Sequence, residues 1–256
     1  MREKLCRIGT VVTGGLFLLY WVLDPTFSED ALTQRLLKSL ISRMLGSAVF
    51  FCLLGYLRYR IWNKPRIGCL LILIPTFLVV VNNLPILALI NREAQIDRWD
   101  LVALFALDSL LIGIFEELAF RGTLFLAILE RHRSSTKQIF WVTVISSAAF
   151  GLIHFVNMAE GQGIVPTLMQ VGYSFLIGAM CSIVLLKTGN IVFCILLHGV
   201  YDFCGMLLPT LGSGSWWDTP TVIFTAILAV AVSLFMLAVL CHITPDETDR
   251  LYESQS

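Results

Sequence analysis

Within an apolar run, the stretch Phe115-Glu-Glu-Leu-Ala-Phe-Arg-Gly122 sets two adjacent carboxylates and a guanidinium among Leu, Ile, Ala and Phe. A charge at the centre of a membrane helix costs roughly 2.5–3.5 kcal/mol on insertion scales, so a group kept there points to function. Glu117 and Arg121 stand four residues apart on one helical face and can neutralise each other. Glu116 points about 100° away around the helix, which leaves it for a second task. A carboxylate directed into a helix bundle suits proton transfer as general base or acid. Further along, Phe150 and His154 share a face in "FGLIH", and His198 and Asp202 share one in "HGVYD". An imidazole there can accept a proton, donate to an oxyanion or bind a metal. One glutamate and two histidines from three helices form a set able to add water to a carbonyl.

Two other chemistries use the same residue types. Glu116, His154 and His198 make a plausible zinc set, although no H-E-x-x-H run is present. Intramembrane Glu and His also build proton relays, as in a proton-coupled transporter. No internal repeat of the kind many transporters carry is visible. A non-catalytic membrane scaffold or immunity factor is the remaining alternative.

These residues need helices to hold them, and the composition says which kind. The 256 residues are 57% hydrophobic and 14% charged, with mean hydropathy +0.82. A soluble domain carries about a quarter charged residues, so the deficit indicates a membrane protein. The 18 basic and 18 acidic residues balance, which argues against a nucleic-acid partner. The seven cysteines show no C-x-x-C pair or finger-like spacing, so a disulfide framework and a zinc finger are both poor readings.

Apolar runs long enough for a hydrocarbon layer of about 30 Å recur near 8–23, 37–57, 68–90, 101–125, 139–157, 165–186, 190–207 and 221–241. The expected fold is all-α, a polytopic bundle of about eight transmembrane helices in a single membrane domain over 1–256. The first run has a basic start, but no small-x-small cleavage site follows, so it is read as a span rather than a signal peptide. Basic residues cluster in alternate connections: Arg58, Arg60, Lys64 and Arg66, then Arg131, Arg133 and Lys137, then Lys187. The others are acidic or balanced, with Asp24, Glu29 and Asp30, then Arg92, Glu93, Asp97, Arg98 and Asp100, then Glu160, then Asp218. This alternation places both termini in the cytoplasm. All six tryptophans fall near segment ends, as an aromatic belt requires. The connection 211–220 reads as flexible, and 244–256 as a polar tail without core-forming residues.

Three motifs occur in order: EExxxR (Glu116, Glu117, Arg121), FxxxH (Phe150, His154) and HxxxN/D (His198, Asp202). This pattern resembles the CPBP family of CAAX proteases and bacteriocin-processing enzymes, also called the Abi family, over a core of about 100–207. The resemblance implies a metal-free, glutamate-dependent intramembrane endopeptidase without a cofactor, acting on membrane-associated peptides or proteins within the lipid bilayer. It implies that Glu116 and His154 activate water, that His198 and Asp202 stabilise the oxyanion, and that Glu117, Arg121 and Phe150 support and orient them. Eukaryotic members carry asparagine where this chain has Asp202. An ionised aspartate cannot donate a hydrogen bond, so Asp202 must be protonated there or act by orienting His198. In a bacterium the implied location is the inner membrane as a multi-pass protein. Prenylated CAAX substrates apply only in an organism that prenylates, and a regulatory membrane partner stays unidentified.

Counting along the expected helices gives one mismatch of depth. His154 lies too far from the cytoplasmic end of its span to meet His198. Either that helix starts later, with "STKQIF" at the interface, or the helices are strongly tilted; the later start is the preferred reading.

Overall fold

The computed structural model describes residues 2–159, 161–215 and 219–252. Glu160, Trp216, Trp217, Asp218 and the last four residues of the tail lie outside that description. The chain is helical almost throughout, and its only sheet among the described residues pairs β1 (Ala94–Ile96) antiparallel with β2 (Gly212–Gly214). Part of the connection 211–220, expected to be flexible, is therefore held as a strand.

A long hairpin opens the fold: α1 (Arg2–Leu23) and α2 (Ala31–Leu57) pack side by side. Asp30 caps α2, accepting the Thr33 amide at 2.9 Å, which satisfies one of the orphan N–H groups of a helix start. The chain then runs through a 3-10 turn (Ile67–Ile72) into α3 (Leu73–Asn82) and, past Pro85, the short α4 (Ile86–Ile90). The expected third span, 68–90, is thus broken. Proline lacks an N–H to continue the ladder and disfavours a helical residue before it.

Next come α5 (Val102–Glu117), a π-helical stretch (Leu118–Phe125) and α6 (Leu126–Arg131) in one continuous course. Ser135 caps α7 (Thr136–Leu152), which tightens into a 3-10 stretch (Ile153–Met158). The long helices α8 (Ile164–Thr188), α9 (Ile191–Leu211) and α10 (Thr219–Leu240) follow. Six of the helices described are long and apolar enough to cross a membrane, those beginning at Glu3, Ala31, Thr136, Ile164, Ile191 and Thr219. The chain is a polytopic helical membrane protein.

The main apolar cluster runs through the end of the bundle where α2, α6, α8 and α9 meet, with Phe125, Leu129, Leu185 and Ile191 fully buried. The segment after 244, read as a polar tail, contributes to it. Its helix α11 (Pro245–Asp249) carries a capping box of Thr244 and Glu247. Leu251 is fully buried, and the Tyr252 hydroxyl donates to the Leu126 carbonyl at 2.9 Å. Lys187 bonds Glu247 at 2.7 Å, and Arg133 pairs with Asp249. Two apolar residues suffice to dock a polar stretch when its charges find partners at the rim.

The connection after α2 folds over the turn between α8 and α9. Ile191 donates its amide to the Ile61 carbonyl at 2.8 Å, Asn63 donates to Gly189 at 3.1 Å, and Trp62 bridges Asn190. The start of α9 is thereby roofed over and set inside the bundle. Residues a few turns along α9 consequently lie deeper than counting from a helix end at the interface suggests.

Candidate active site

The helix pair α5–α9 brings the charged groups together. A Cβ added at Gly113 would stand 2.8 Å from the Ile195 carbonyl oxygen and 2.9 Å from the Gly199 amide nitrogen. Only a glycine lets the two backbones approach this closely. The contact sits one turn before Glu116 and Glu117, level with His198.

The two glutamates diverge as their 100° separation requires. Glu117 is fully buried, and its Oε1 meets Arg121 Nη1 at 3.0 Å and His198 Nδ1 at 2.7 Å. A carboxylate oxygen accepts, so His198 carries its proton on Nδ1 and donates it there. Arg121 lies with its guanidinium carbon 4.1 Å from the centre of the Phe150 ring. Gly178 leaves the room for this, since a Cβ there would come within 2.8 Å of Arg121 Nη2. Phe150 also stands edge-on to His154 at 5.4 Å and to His198 at 5.6 Å between ring centres. One phenyl ring thus sets the planes of two imidazoles and the face of a guanidinium.

Glu116 instead faces a cavity of about 390 Å³. The same cavity is lined by His154, His198 and Asp202, so all four expected chemical groups share it. His198 Nε2 lies 3.7 Å from Glu116 Oε2 and 3.5 Å from Asp202 Oδ2. Both separations leave the ring nitrogen without a close hydrogen bond. His154 Nδ1 donates to the Phe150 carbonyl at 3.0 Å, which fixes its tautomer and leaves Nε2 as an acceptor. Two imidazoles, each anchored through Nδ1, therefore present their Nε2 atoms.

The later helix start anticipated for His154 does not occur: α7 begins at Thr136, whose hydroxyl donates to the Ile243 carbonyl. His154 lies beyond Leu152, in the 3-10 stretch at the far end of that helix. It still reaches the cavity of His198, because α9 starts inside the bundle and because the cavity extends toward that far end. Arg35 near the start of α2, Gln170 near the start of α8 and Thr210 near the end of α9 all line it. Its mouth therefore opens at the end of the bundle that carries the acid-rich 24–30 and 91–101 connections.

Several lining residues carry no motif. Tyr173, Tyr201, Asn157 and Gln170 complete the polar wall, with Asn157 donating to Gln170 at 2.9 Å. Their signal in the sequence is positional: 170, 173, 174 and 177 recur at helical spacing along α8, as do 198, 201 and 202 along α9. Asp108 and Arg43, polar residues inside the apolar helices α5 and α2, line the cavity as well.

Tyr173, Ile177 and Tyr201 also border a second chamber of about 430 Å³. Val79, Thr143, Met180, Thr225, Val232 and Met236 line it, and it opens between α3, α7, α8 and α10. The two tyrosine rings lie 6.0 Å apart between centres and form the partition.

Among the described residues no three His, Cys, Asp or Glu side chains are arranged to hold a metal ion. Residues 98–204 match the family model described as type II CAAX prenyl endopeptidase Rce1-like. The matched segment spans Glu116 to Asp202, and it is the family that the three motifs resemble. The match supports an intramembrane CAAX-type endopeptidase in general terms. No curated protein and no solved structure gives a significant match to the chain.

Proposed function

We propose that the chain hydrolyses peptide bonds of membrane-associated peptides or proteins at the cavity holding Glu116. The observation that carries this is the division of labour between adjacent carboxylates. Glu117 is consumed in fixing Arg121 and His198, whereas Glu116 faces open space beside two imidazoles. Water held between Glu116 and His154 loses a proton to the carboxylate as its oxygen attacks the carbonyl carbon. The tetrahedral oxyanion accepts a hydrogen bond from Nε2–H of His198 held as the imidazolium, whose Nδ1–H stays on Glu117. Glu116 then returns its proton to the departing amine as the C–N bond breaks. Because Glu117 already orients His198, Asp202 is assigned the donor role, its carboxylic O–H beside the oxyanion as the asparagine amide is in the family's eukaryotic members.

Orientation follows from the basic connections: with Arg58–Arg66, Arg131–Lys137 and Lys187 on the cytoplasmic side, both termini are cytoplasmic. The cavity mouth then faces outward, so substrates are those presented at the outer leaflet.

The test is hydrolysis of a lipid-anchored, internally quenched peptide library by purified protein in liposomes. Glu116→Gln and His154→Ala should each lower turnover by about 10²–10⁴-fold while the protein still inserts and folds. Full biological activity in both variants would leave a scaffold role instead.

A further inference from the structure

Two arginines in the cavity wall take no part in this chemistry. Arg35, Ser39 and Arg43 recur every fourth residue along one face of α2, and all three line the cavity. Neither guanidinium has an ion-pair partner among the described residues. Arg43 lies with its guanidinium carbon 5.3 Å from the centre of the Phe115 ring, and its Nε is buried with no hydrogen-bond partner. Asp108 lies near enough to feel both cations, and Asp202 to feel Arg43, yet no carboxylate closes on either. A membrane protein that keeps two cations unpaired along a polar cavity has a use for them.

We infer that Arg43, with Arg35 at the mouth, is a subsite for a carboxylate carried by the substrate peptide. A planar guanidinium held against an aromatic face keeps its in-plane N–H donors for a ligand and matches a carboxylate bidentately. Depth selects the source of the anion. Arg43 lies twelve residues along α2 from Ala31, about 18 Å at 1.5 Å per residue. A phospholipid headgroup stays at the interface and does not reach that level. An extended peptide does, since about six residues at 3.3 Å each cover the distance. Arg35, about two turns nearer the mouth, lies on the route in and draws the same charge inward. A substrate docked this way would lie along α2, between it and the groups on α5 and α9. The assignment rests on the endopeptidase reading only for the ligand being a peptide.

The experiment uses the full chain in nanodiscs, made inert to hydrolysis by Glu116→Gln. Three palmitoyl-anchored, photo-crosslinkable libraries of random hexapeptides serve as probes: the free C-terminal acid, the carboxamide, and the carboxamide with one internal Glu. The acid should be captured roughly tenfold more than the carboxamide, the margin expected of a charge-assisted pair. Arg43→Gln should bring that ratio close to one, and Arg43→Lys should restore part of it, since a point charge attracts without the fork. Capture of the internal-Glu library at the level of the acid would assign the subsite to a side-chain carboxylate; capture at the carboxamide level would assign it to the chain terminus. Equal capture of acid and carboxamide, or a preference unchanged in a folded Arg43→Gln protein, overturns the inference. So does a preference erased by replacing zwitterionic phosphatidylcholine with anionic phosphatidylglycerol in the disc, because an anionic headgroup would then own the site. Should Arg43→Gln fail to fold, the Arg43→Lys and Arg35→Gln proteins make the same comparison. Turnover by the unmodified chain is read separately: hydrolysis without acid preference removes the subsite alone, and acid preference without hydrolysis removes the peptidase alone.

Discussion

The two chambers that meet at Tyr173, Ile177 and Tyr201 have similar volumes, about 390 and 430 Å³, and opposite walls. One is faced by Glu116, Asp108, Asp202, two histidines and two arginines. The other is faced by Val, Met, Leu and Phe, with Asn82, Asn83 and three hydroxyl-bearing residues of α7 and α10 as its relief. Each wall reflects what its helices can keep in a membrane. The polar chamber is built from α2, α5, α8, α9 and the end of α7 with its 3-10 stretch, whose facing residues are interrupted by polar and ionisable groups. The apolar chamber borrows α10, where no charge occurs between Thr219 and Leu240. Volume does not distinguish the two chambers, but the cost of the charges along one wall does.

The comparison breaks first at Glu116. Glu116→Gln should remove about 10²–10⁴-fold of turnover, whereas Val232→Ala in the other chamber should change it less than about threefold, both read by quenched-peptide hydrolysis. Comparable losses from both would show that the chambers act as one. Next in size is the pair beneath the polar chamber. Arg121→Met leaves Glu117 fully buried without its cation, and breaking such a pair costs about 3–5 kcal/mol. Thermal unfolding in detergent should show a large drop, and replacing both residues by Gln and Met together should recover part of the stability but none of the activity.

Asp202 gives a finer measurement. Asp202→Asn should keep activity within about tenfold, because an amide donates where a carboxylic O–H did, while Asp202→Ala should lose about 10²-fold. Similar losses in both would return Asp202 to an orienting role. The partition itself should yield the next effect. Tyr173→Ala joins the two chambers, and the peptides cleaved should shift toward bulkier apolar residues by a few-fold, as sequenced by mass spectrometry.

The smallest effect lies outside the membrane. Asp30 bonds the hydroxyl and amide of Thr33 and pairs with Arg98, and these hold its carboxyl at about 2, below the ordinary carboxylate value. The folded protein binds the proton less readily than the unfolded chain. The stabilisation is therefore complete above pH 4 and is lost as pH falls from about 4 to about 2. The difference in thermal midpoint between the unmodified protein and Asp30→Ala should narrow over that interval and stay constant from pH 5 to 8.

How much of this was legible depends on how far apart the contacting residues stand. The separation of Glu116 from Glu117, the pairing of Glu117 with Arg121, and the sharing of faces by Phe150 with His154 and His198 with Asp202 are all consequences of helical pitch. Four residues of sequence suffice to read them. The depth of His154 relative to His198 was misread because it depends on Ile61 and Asn63 roofing the start of α9, contacts more than 120 residues away. The docking of Leu251 and Tyr252 was missed for the same reason: Tyr252 bonds Leu126, and a polar composition hid two apolar anchors. The third span broke at Pro85, which hydropathy averaging over a long window does not register. Arg43 was visible as a charge in an apolar helix, but the cavity it faces is completed by α5, α8, α9 and the end of α7 with its 3-10 stretch.

One feature of the α5–α6 course carries a constraint on the length of the chain. The Thr123 hydroxyl donates to the Leu118 carbonyl five residues back, at 2.9 Å, within the π-helical stretch that follows Glu117. Such a stretch is an α-helix with a residue inserted. Its wider turn takes up the extra residue, so deleting one between 118 and 125 would return the interval to ordinary pitch and leave Phe125 and Leu129 facing the interior. A residue deleted where the pitch is already regular would instead swing everything beyond by about 100° and turn both outward. The interval is thus the slack turn of this course, the place where a change of length is absorbed.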